Sequence, residues 1–304
     1  MSARPATDPA PSPAATALGA FLAAYDEALA RWPLPVEALT VPTPYGATRV
    51  NACGPRDGRP LVLLPGGGAT ATCWSANAAA LAGAGHRVLA VDLLGDPGRS
   101  TLDRPRLGGV PELLGWLDAV LDGLEVPAAD LAGHSYGGWT ALRYALYAPA
   151  RIRRLALLDP TGCFTGFRAR YLLRALPLLL PPRTAAKARS YLDWESRGGA
   201  GPDPAWRELY ALGLAGFPAA RPVTGPRPSA AELGALTAPV LVLLAGLSRT
   251  HDARTVAALA RRALPHAAVT VLPDVSHHTL LTARPDEVNR HLTAFLAPDP
   301  ADGG

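Results

Sequence analysis

Apolar residues recur along this chain with two periods, and the alternation between them lays out an architecture. Leu18, Phe21, Leu22, Tyr25 and Leu29 share one face of a helix over Ala17–Trp32, which Pro33 and Pro35 close. Val36–Val41 and Thr48–Cys53 flank Tyr45-Gly46 and predict a hairpin. Short continuous apolar runs then alternate with amphipathic stretches. Leu61–Leu64 ends in Pro65-Gly66-Gly67-Gly68, and Trp74–Ala84 is helical. Arg87–Val91 is the next run, followed by a helix over Pro111–Leu124 with Leu113, Leu114, Leu117, Val120 and Leu121 on one face. Asp130–Ala132 leads into a glycine-rich turn and a helix over Trp139–Tyr147, and Leu155–Leu158 ends in Asp159-Pro160. The same rhythm returns at Val240–Leu244, Ala253–Leu264, Val269–Leu272 and Pro285–Leu296. Strands without polar alternation, separated by helices, predict an α/β fold whose mostly parallel, doubly wound sheet is covered on both faces.

The stretch Thr161–Thr237 breaks this rhythm. It is rich in Leu, Arg and Pro, has no strand-like run, and reads as an inserted helical cap. The expected organisation is a tail over 1–16, a core in two parts (17–160 and 238–297), the cap over 161–237, and a short tail over 298–304. A cap at the C-terminal edge of a parallel sheet lies over the place where such sheets bind ligands.

Composition narrows the function classes. Of the 304 residues, 49% are hydrophobic and 18% charged, enough to bury a large core. Apolar stretches such as Tyr171–Leu180 are short and interrupted, well below the ~20 residues of a membrane span. Met1–Thr16 is rich in Pro and Ala without the apolar core of a secretory signal, so the expected location is the cytoplasm. Cys53, Cys73 and Cys163 are an odd number without close spacing, which excludes a disulfide scaffold and a cysteine metal cluster. The net charge of +4 rests on scattered arginines, Lys187 being the lone lysine. The densest basic cluster, Arg151–Arg154, is no continuous stripe with aromatics, so no nucleic-acid partner is expected. No His/Cys/Asp/Glu group has metal-ligand spacing, and Gly66-Gly67-Gly68 does not complete a dinucleotide fingerprint, so neither metal nor cofactor is expected.

The most specific signal is Gly133-His134-Ser135-Tyr136-Gly137, a G-x-S-x-G between a predicted strand and a predicted helix. A strand turning sharply into a helix crowds its own backbone two residues before and after the serine, which requires glycine there. The serine is then strained and exposed at the positive end of the helix. Here the chain resembles the α/β-hydrolase superfamily, and more narrowly its bacterial carboxylesterase-type members. Asp92-Leu93-Leu94-Gly95-Asp96-Pro97-Gly98-Arg99-Ser100 matches their Asp-x-x-Gly-x-x-Gly-x-Ser segment, and Ser135–Trp139 with Ala148-Pro149 matches their elbow helix. The resemblance implies the α/β-hydrolase fold and serine hydrolase activity. It implies oxyanion donors on Tyr136 and on the loop after Leu61–Leu64, where Pro65-Gly66-Gly67 replaces the usual His-Gly-x and Gly67, then Gly68, is the expected donor. His134 in the elbow and Asp92 are expected to be structural.

The resemblance places the base after the last strand, in Pro273-Asp274-Val275-Ser276-His277-His278. Counting forward from Pro273 selects His277; counting back from Pro285 favours His278. The remaining five histidines have no such placement. The usual acid position follows Val240–Leu244, but Ser248 and Arg249 stand there. Asp252 comes later, immediately before a helix, and reads as an N-cap. Asp159 ends Leu155–Leu158, where certain lipases and dehalogenases of the superfamily keep their acid. A Ser–His dyad without an acid is the third possibility. The expected set is Ser135, His277 and Asp159, with Gly67 and Tyr136 as the oxyanion hole, acting on a small-molecule carboxylic ester, lactone or thioester with apolar bulk. Phe164, Phe167, Tyr171, Leu172, Leu176 and Leu180 are expected to line an apolar lid. The same residues are compatible with acyl transfer, lyase or cyclase chemistry on a biosynthetic intermediate, or with a non-catalytic ligand-binding protein.

Overall fold

The computed structural model describes residues 13–217 and 222–298. A nine-stranded sheet runs in the order β1 (Glu37–Thr43), β2 (Gly46–Cys53), β4 (His86–Val91), β3 (Arg59–Leu64), β6 (Ala129–His134), β7 (Ile152–Leu158), β8 (Val240–Ala245), β9 (Ala268–Leu272), with β5 (Thr101–Leu102) pairing β2. β1 and β2 form an antiparallel hairpin and β2 joins β4 antiparallel; every pairing from β4 through β9 is parallel.

The continuous apolar runs are explained by burial on both faces. In β3, Leu61 and Leu63 point into one core and Val62 and Leu64 into the other, all fully buried. The first core is closed by α2 (Ser75–Gly83) and α10 (Pro285–Leu296) through Ala78, Leu81, Val288, Leu292 and Leu296. The second is closed by α3 (Val110–Gly123), α4 (Tyr136–Tyr147) and α9 (Ala253–Ala263) through Leu117, Leu142 and Val256. The sheet is therefore doubly wound, with its strand C-termini converging on one edge.

Two local differences from the sequence pattern have simple causes. The first helix, α1, spans Pro13–Ala30 and so begins four residues before Ala17, since proline is tolerated in a helix's first turn and alanines follow it. Residues 1–12 of the expected tail, and 299–304 of the other, lie outside the described residues. β5 is only two residues long and carries no periodic signal of its own.

Between β7 and β8 the described residues form four helices: α5 (Ala169–Leu179), α6 (Ala185–Glu195), α7 (Pro204–Gly216) and α8 (Ala230–Gly234). α7 packs its Leu209 on Phe21, Tyr25 and Ala28 of α1, so the N-terminal helix supports this layer from below. α1 is in turn tied to the sheet edge: Tyr25 donates to Asp92 at 2.9 Å and accepts from Asn51 at 2.7 Å. Asp92 also accepts the Ala71 and Arg99 N–H groups at 2.7 and 2.8 Å, joining the loops after β3 and β4. It acts as the structural acceptor expected of it.

Candidate active site

The turn between β6 and α4 is built by backbone crowding. A methyl on Gly133 would lie 2.2 Å from the Gly137 carbonyl oxygen, and one on Gly137 would lie 2.3 Å from that of Pro65. Both sites exclude any side chain, and the chain between them has nowhere to relax. Ser135 consequently sits at φ 54°, ψ −117°, a conformation that costs on the order of 1–3 kcal/mol in an L-residue. Its N–H donates to Leu158 at 2.9 Å, and its carbonyl accepts from Trp139 at 3.1 Å. The side chain is left free to project past the sheet edge.

His277 meets it there, with Nε2 2.8 Å from Ser135 Oγ and Nδ1 2.6 Å from Asp159 Oδ2. A carboxylate can only accept, so Nδ1 carries the proton and Nε2 presents its lone pair to the serine hydroxyl. Burial pulls the His277 pKa below its ordinary value, against the opposing pull of Asp159. His134, pushed down to about 3 by burial, is neutral and donates its Nε2–H to the His277 carbonyl at 2.8 Å, which fixes the ring's backbone.

Asp159 lies one residue past β7, also at positive φ (43°), and is fully buried. It accepts from four donors: His277 Nδ1, Ala245 N–H at 3.0 Å, Ser248 Oγ at 2.8 Å and His251 Nε2 at 2.9 Å. Burial favours the neutral acid, but the two imidazoles outweigh it and hold the carboxyl well below the usual range. The other acid candidate, Asp252, is exposed. It caps α9 through Thr255 N–H at 2.8 Å and pairs with Arg168 at 2.8 Å, away from Ser135. His278 likewise does not reach the serine. Its Nδ1 is 3.2 Å from Glu195, and its ring lies among Tyr191, Trp206 and Tyr210.

Tyr136 is the first residue of α4, so its N–H has no helical acceptor. Gly67 faces it: a methyl on Gly67 would touch Tyr136 Cβ at 3.6 Å. Gly68, the next expected donor, has its N–H engaged by Asp96 at 3.1 Å. Burial raises the Asp96 carboxyl to about 6. Among the described residues no group of His, Cys, Asp and Glu could hold a metal ion, and no helix is long and apolar enough to cross a membrane.

The sequence model of the alpha/beta hydrolase family matches residues 61–291, from β3 into α10. The chain belongs to the alpha/beta hydrolase family. Carboxylesterase YbfK of Bacillus subtilis is 34% identical over 175 residues, 57% of this chain, and the alignment spans just over half (57%) of that protein's length. A second Bacillus subtilis protein, the uncharacterized carboxylesterase nap, is 27% identical over 90% of both chains. The crystal structure of carboxylesterase CesB (YbfK) from that organism superposes with a TM-score of 0.86 at 26% identity, covering 92% of this chain and 98% of that one.

Three features of the site escape the sequence pattern. Glu195, at the end of α6, is fully buried and accepts from Ser276 Oγ, His277 N–H, His278 N–H and His278 Nδ1 at 3.0–3.2 Å. Its charge interactions, chiefly with His278, overcome burial and lower its carboxyl to about 2. A glutamate at a helix end carries no signal of such a role. The contacts of Ser248 and His251 with Asp159 also escape the sequence, although their polar character in the usual acid loop is itself a signal. The expected lid residues are a correction. Phe164 is buried in the core beneath α4, whereas Phe167, Leu172, Leu176 and Leu180 are exposed on the outer side of the helical layer. α5 turns only Tyr171, Ala175 and Leu178 inward. The leucine spacing is amphipathic, but it cannot say which face is inward. The wall over Ser135 comes instead from Trp206 and Tyr210 of α7, enclosing a cavity of about 20 Å³, room for about one water.

Proposed function

We propose that this protein is a serine hydrolase of carboxylic esters, working through an acyl-enzyme on Ser135. The observation that carries this is the line Ser135–His277–Asp159, with hydrogen bonds of 2.8 and 2.6 Å ending at a serine held in a strained turn. His277 Nε2 takes the Ser135 proton as Oγ attacks the acyl carbon. Asp159 holds the ring in the tautomer that makes this possible and stabilises the imidazolium. Negative charge on the carbonyl oxygen is met by the Gly67 and Tyr136 N–H groups, each such donor contributing about 3–4 kcal/mol to the barrier reduction. His277 returns the proton to the leaving alcohol. A water activated the same way then frees the acid and restores Ser135. No metal or cofactor takes part in this scheme.

The substrate is a small molecule with an apolar acyl or alcohol part, since Ala69, Cys73, Trp206, Tyr210 and Leu281 surround the serine; the space between them has room for about one water, so Trp206 and Tyr210 of α7 must move aside to admit the substrate. We place the enzyme in the cytoplasm, a reading supported by three free, buried cysteines. We assign it no nucleic-acid partner. The test is intact-mass labelling with a fluorophosphonate, together with hydrolysis of p-nitrophenyl esters of rising acyl length. One adduct on the wild type, none on Ser135→Ala, and turnover of the short esters are expected. A wild type that neither labels nor turns over overturns the reading.

A further inference from the structure

The loop after β8 turns its carboxylate, Asp252, away from the site toward Thr255 and Arg168, yet keeps a place in it. Ser248, Thr250 and His251 stand there, each almost fully buried, and together with Asp159 they close a ring of hydrogen bonds. His251 Nε2 is 2.9 Å from Asp159 Oδ1, and His251 Nδ1 is 3.2 Å from Thr250 Oγ1. Thr250 Oγ1 is 2.8 Å from Ser248 Oγ, which is 2.8 Å from Asp159 Oδ2.

Counting protons around this ring decides its charge. Four contacts need four protons, and the two hydroxyls supply two. Between them, Asp159 and His251 must supply the other two. A carboxylate with a neutral imidazole has only one, which would leave two lone pairs facing each other at one contact. The pair therefore holds one proton more. It rests on His251, because an imidazole is by far the stronger base and Asp159 also accepts from Ala245 N–H and His277 Nδ1. His251 then donates both ways, to Asp159 and to Thr250. Thr250 donates to Ser248 and Ser248 to Asp159.

We propose that His251 is a positioning residue carried as an imidazolium, and that through Asp159 it sets the pH range in which His277 can take the proton of Ser135. This rests on the hydrolase reading above. An unaccompanied aspartate would stabilise protonated His277 and switch the base off at higher pH. Paired with His251, Asp159 keeps its orienting hydrogen bond while its charge is balanced. His251 is otherwise faced by Asp252 and Arg168, which pair with each other. His277 is faced by Asp159, Glu195, His134 and His278. The direction of the His251 shift agrees: Asp159 overcomes burial and raises it.

The experiment has two readouts. ¹⁵N NMR of the imidazoles in wild-type protein at pH 7 is expected to show both His251 nitrogens protonated, and one of them deprotonated in Asp159→Asn. This needs no turnover, so it stands even if no ester reacts. The second readout is the pH profile of kcat/KM for p-nitrophenyl butyrate. His251→Gln, which keeps a donor but no charge, is expected to move the acidic limb up by about one pH unit while the alkaline plateau stays within about tenfold. Thr250→Val, which strips His251 Nδ1 of its acceptor, is expected to move it the same way by less, and it serves if His251→Gln does not fold. A neutral His251 at pH 7 overturns the proposal. So does an unmoved limb with a uniformly lowered plateau, the mark of a purely structural residue.

Discussion

The elbow and the acid cradle both converge on His277, yet they are made in opposite ways. The elbow is five consecutive residues in which backbone atoms, of Gly137 against Gly133 and of Leu64 and Pro65 against Gly137, leave no room for a methyl. The cradle is Asp159 just past β7 with side chains from the loop after β8 and the loop after β9, its side-chain partners standing 89 to 118 residues away. The first is enforced by repulsion, which tolerates nothing. The second is enforced by several attractions, so its members can be removed one at a time with graded results. Position along the chain is thus a poor guide to which half of the site is fragile.

The largest expected effect lies in the elbow. Gly137→Ala places a methyl against the Pro65 and Leu64 carbonyls, both backbone, and is expected to give no soluble protein or protein that does not label with fluorophosphonate. Normal labelling would show the turn to be softer than its packing indicates and would erase the contrast. In the cradle, Asp159→Asn is expected to lower kcat/KM by about 10⁴ with the fold intact. Asp252→Asn is expected to cost about 1 kcal/mol or less of stability and leave kinetics unchanged. If the two aspartates exchange these outcomes in a steady-state assay, the acid belongs to the loop after β8 after all.

A smaller effect is expected from the helices between β7 and β8. Glu195→Gln removes a charged acceptor from four donors and is expected to lower unfolding free energy by about 2 kcal/mol at pH 7. Because the Glu195 carboxyl is lowered from 4.5 to about 2, its contribution is complete above pH 4.5 and lost as pH falls to about 2. Urea unfolding at a series of pH values should show the gap between wild type and variant closing over that window. The smallest effect is expected on the outside of α5. Leu173 is 71% exposed, and Leu173→Ser with Leu176→Ser should stay within about 0.5 kcal/mol and leave hydrolysis of a small soluble ester unchanged.

The sheet is legible in the sequence because strands buried on both faces must be apolar throughout, and runs such as Leu61–Leu64 or Val240–Leu244 have no other ready explanation. The elbow is legible because backbone crowding demands glycine at a fixed spacing. Distance along the chain hides the rest. His277 and His278 are adjacent, and only the neighbours of each ring, Ser135 for one and Glu195 with three aromatics for the other, tell them apart. Asp159 is identical in sequence terms to any aspartate ending a strand until Ser248 and His251 are seen around it. The orientation of α5 is illegible for a similar reason. A stripe of leucines states that one face differs from the other, and the fold decides which of them meets water.

Glu195 belongs to the helices between β7 and β8, while the residues it holds follow β9. That helical stretch is therefore not a cassette. Replacing it with helices from another protein would leave Ser276, His277 and His278 with unmet donors in the middle of the site. Exchange between lineages, or grafting in the laboratory, would have to carry the histidine loop and its helix as one heritable unit.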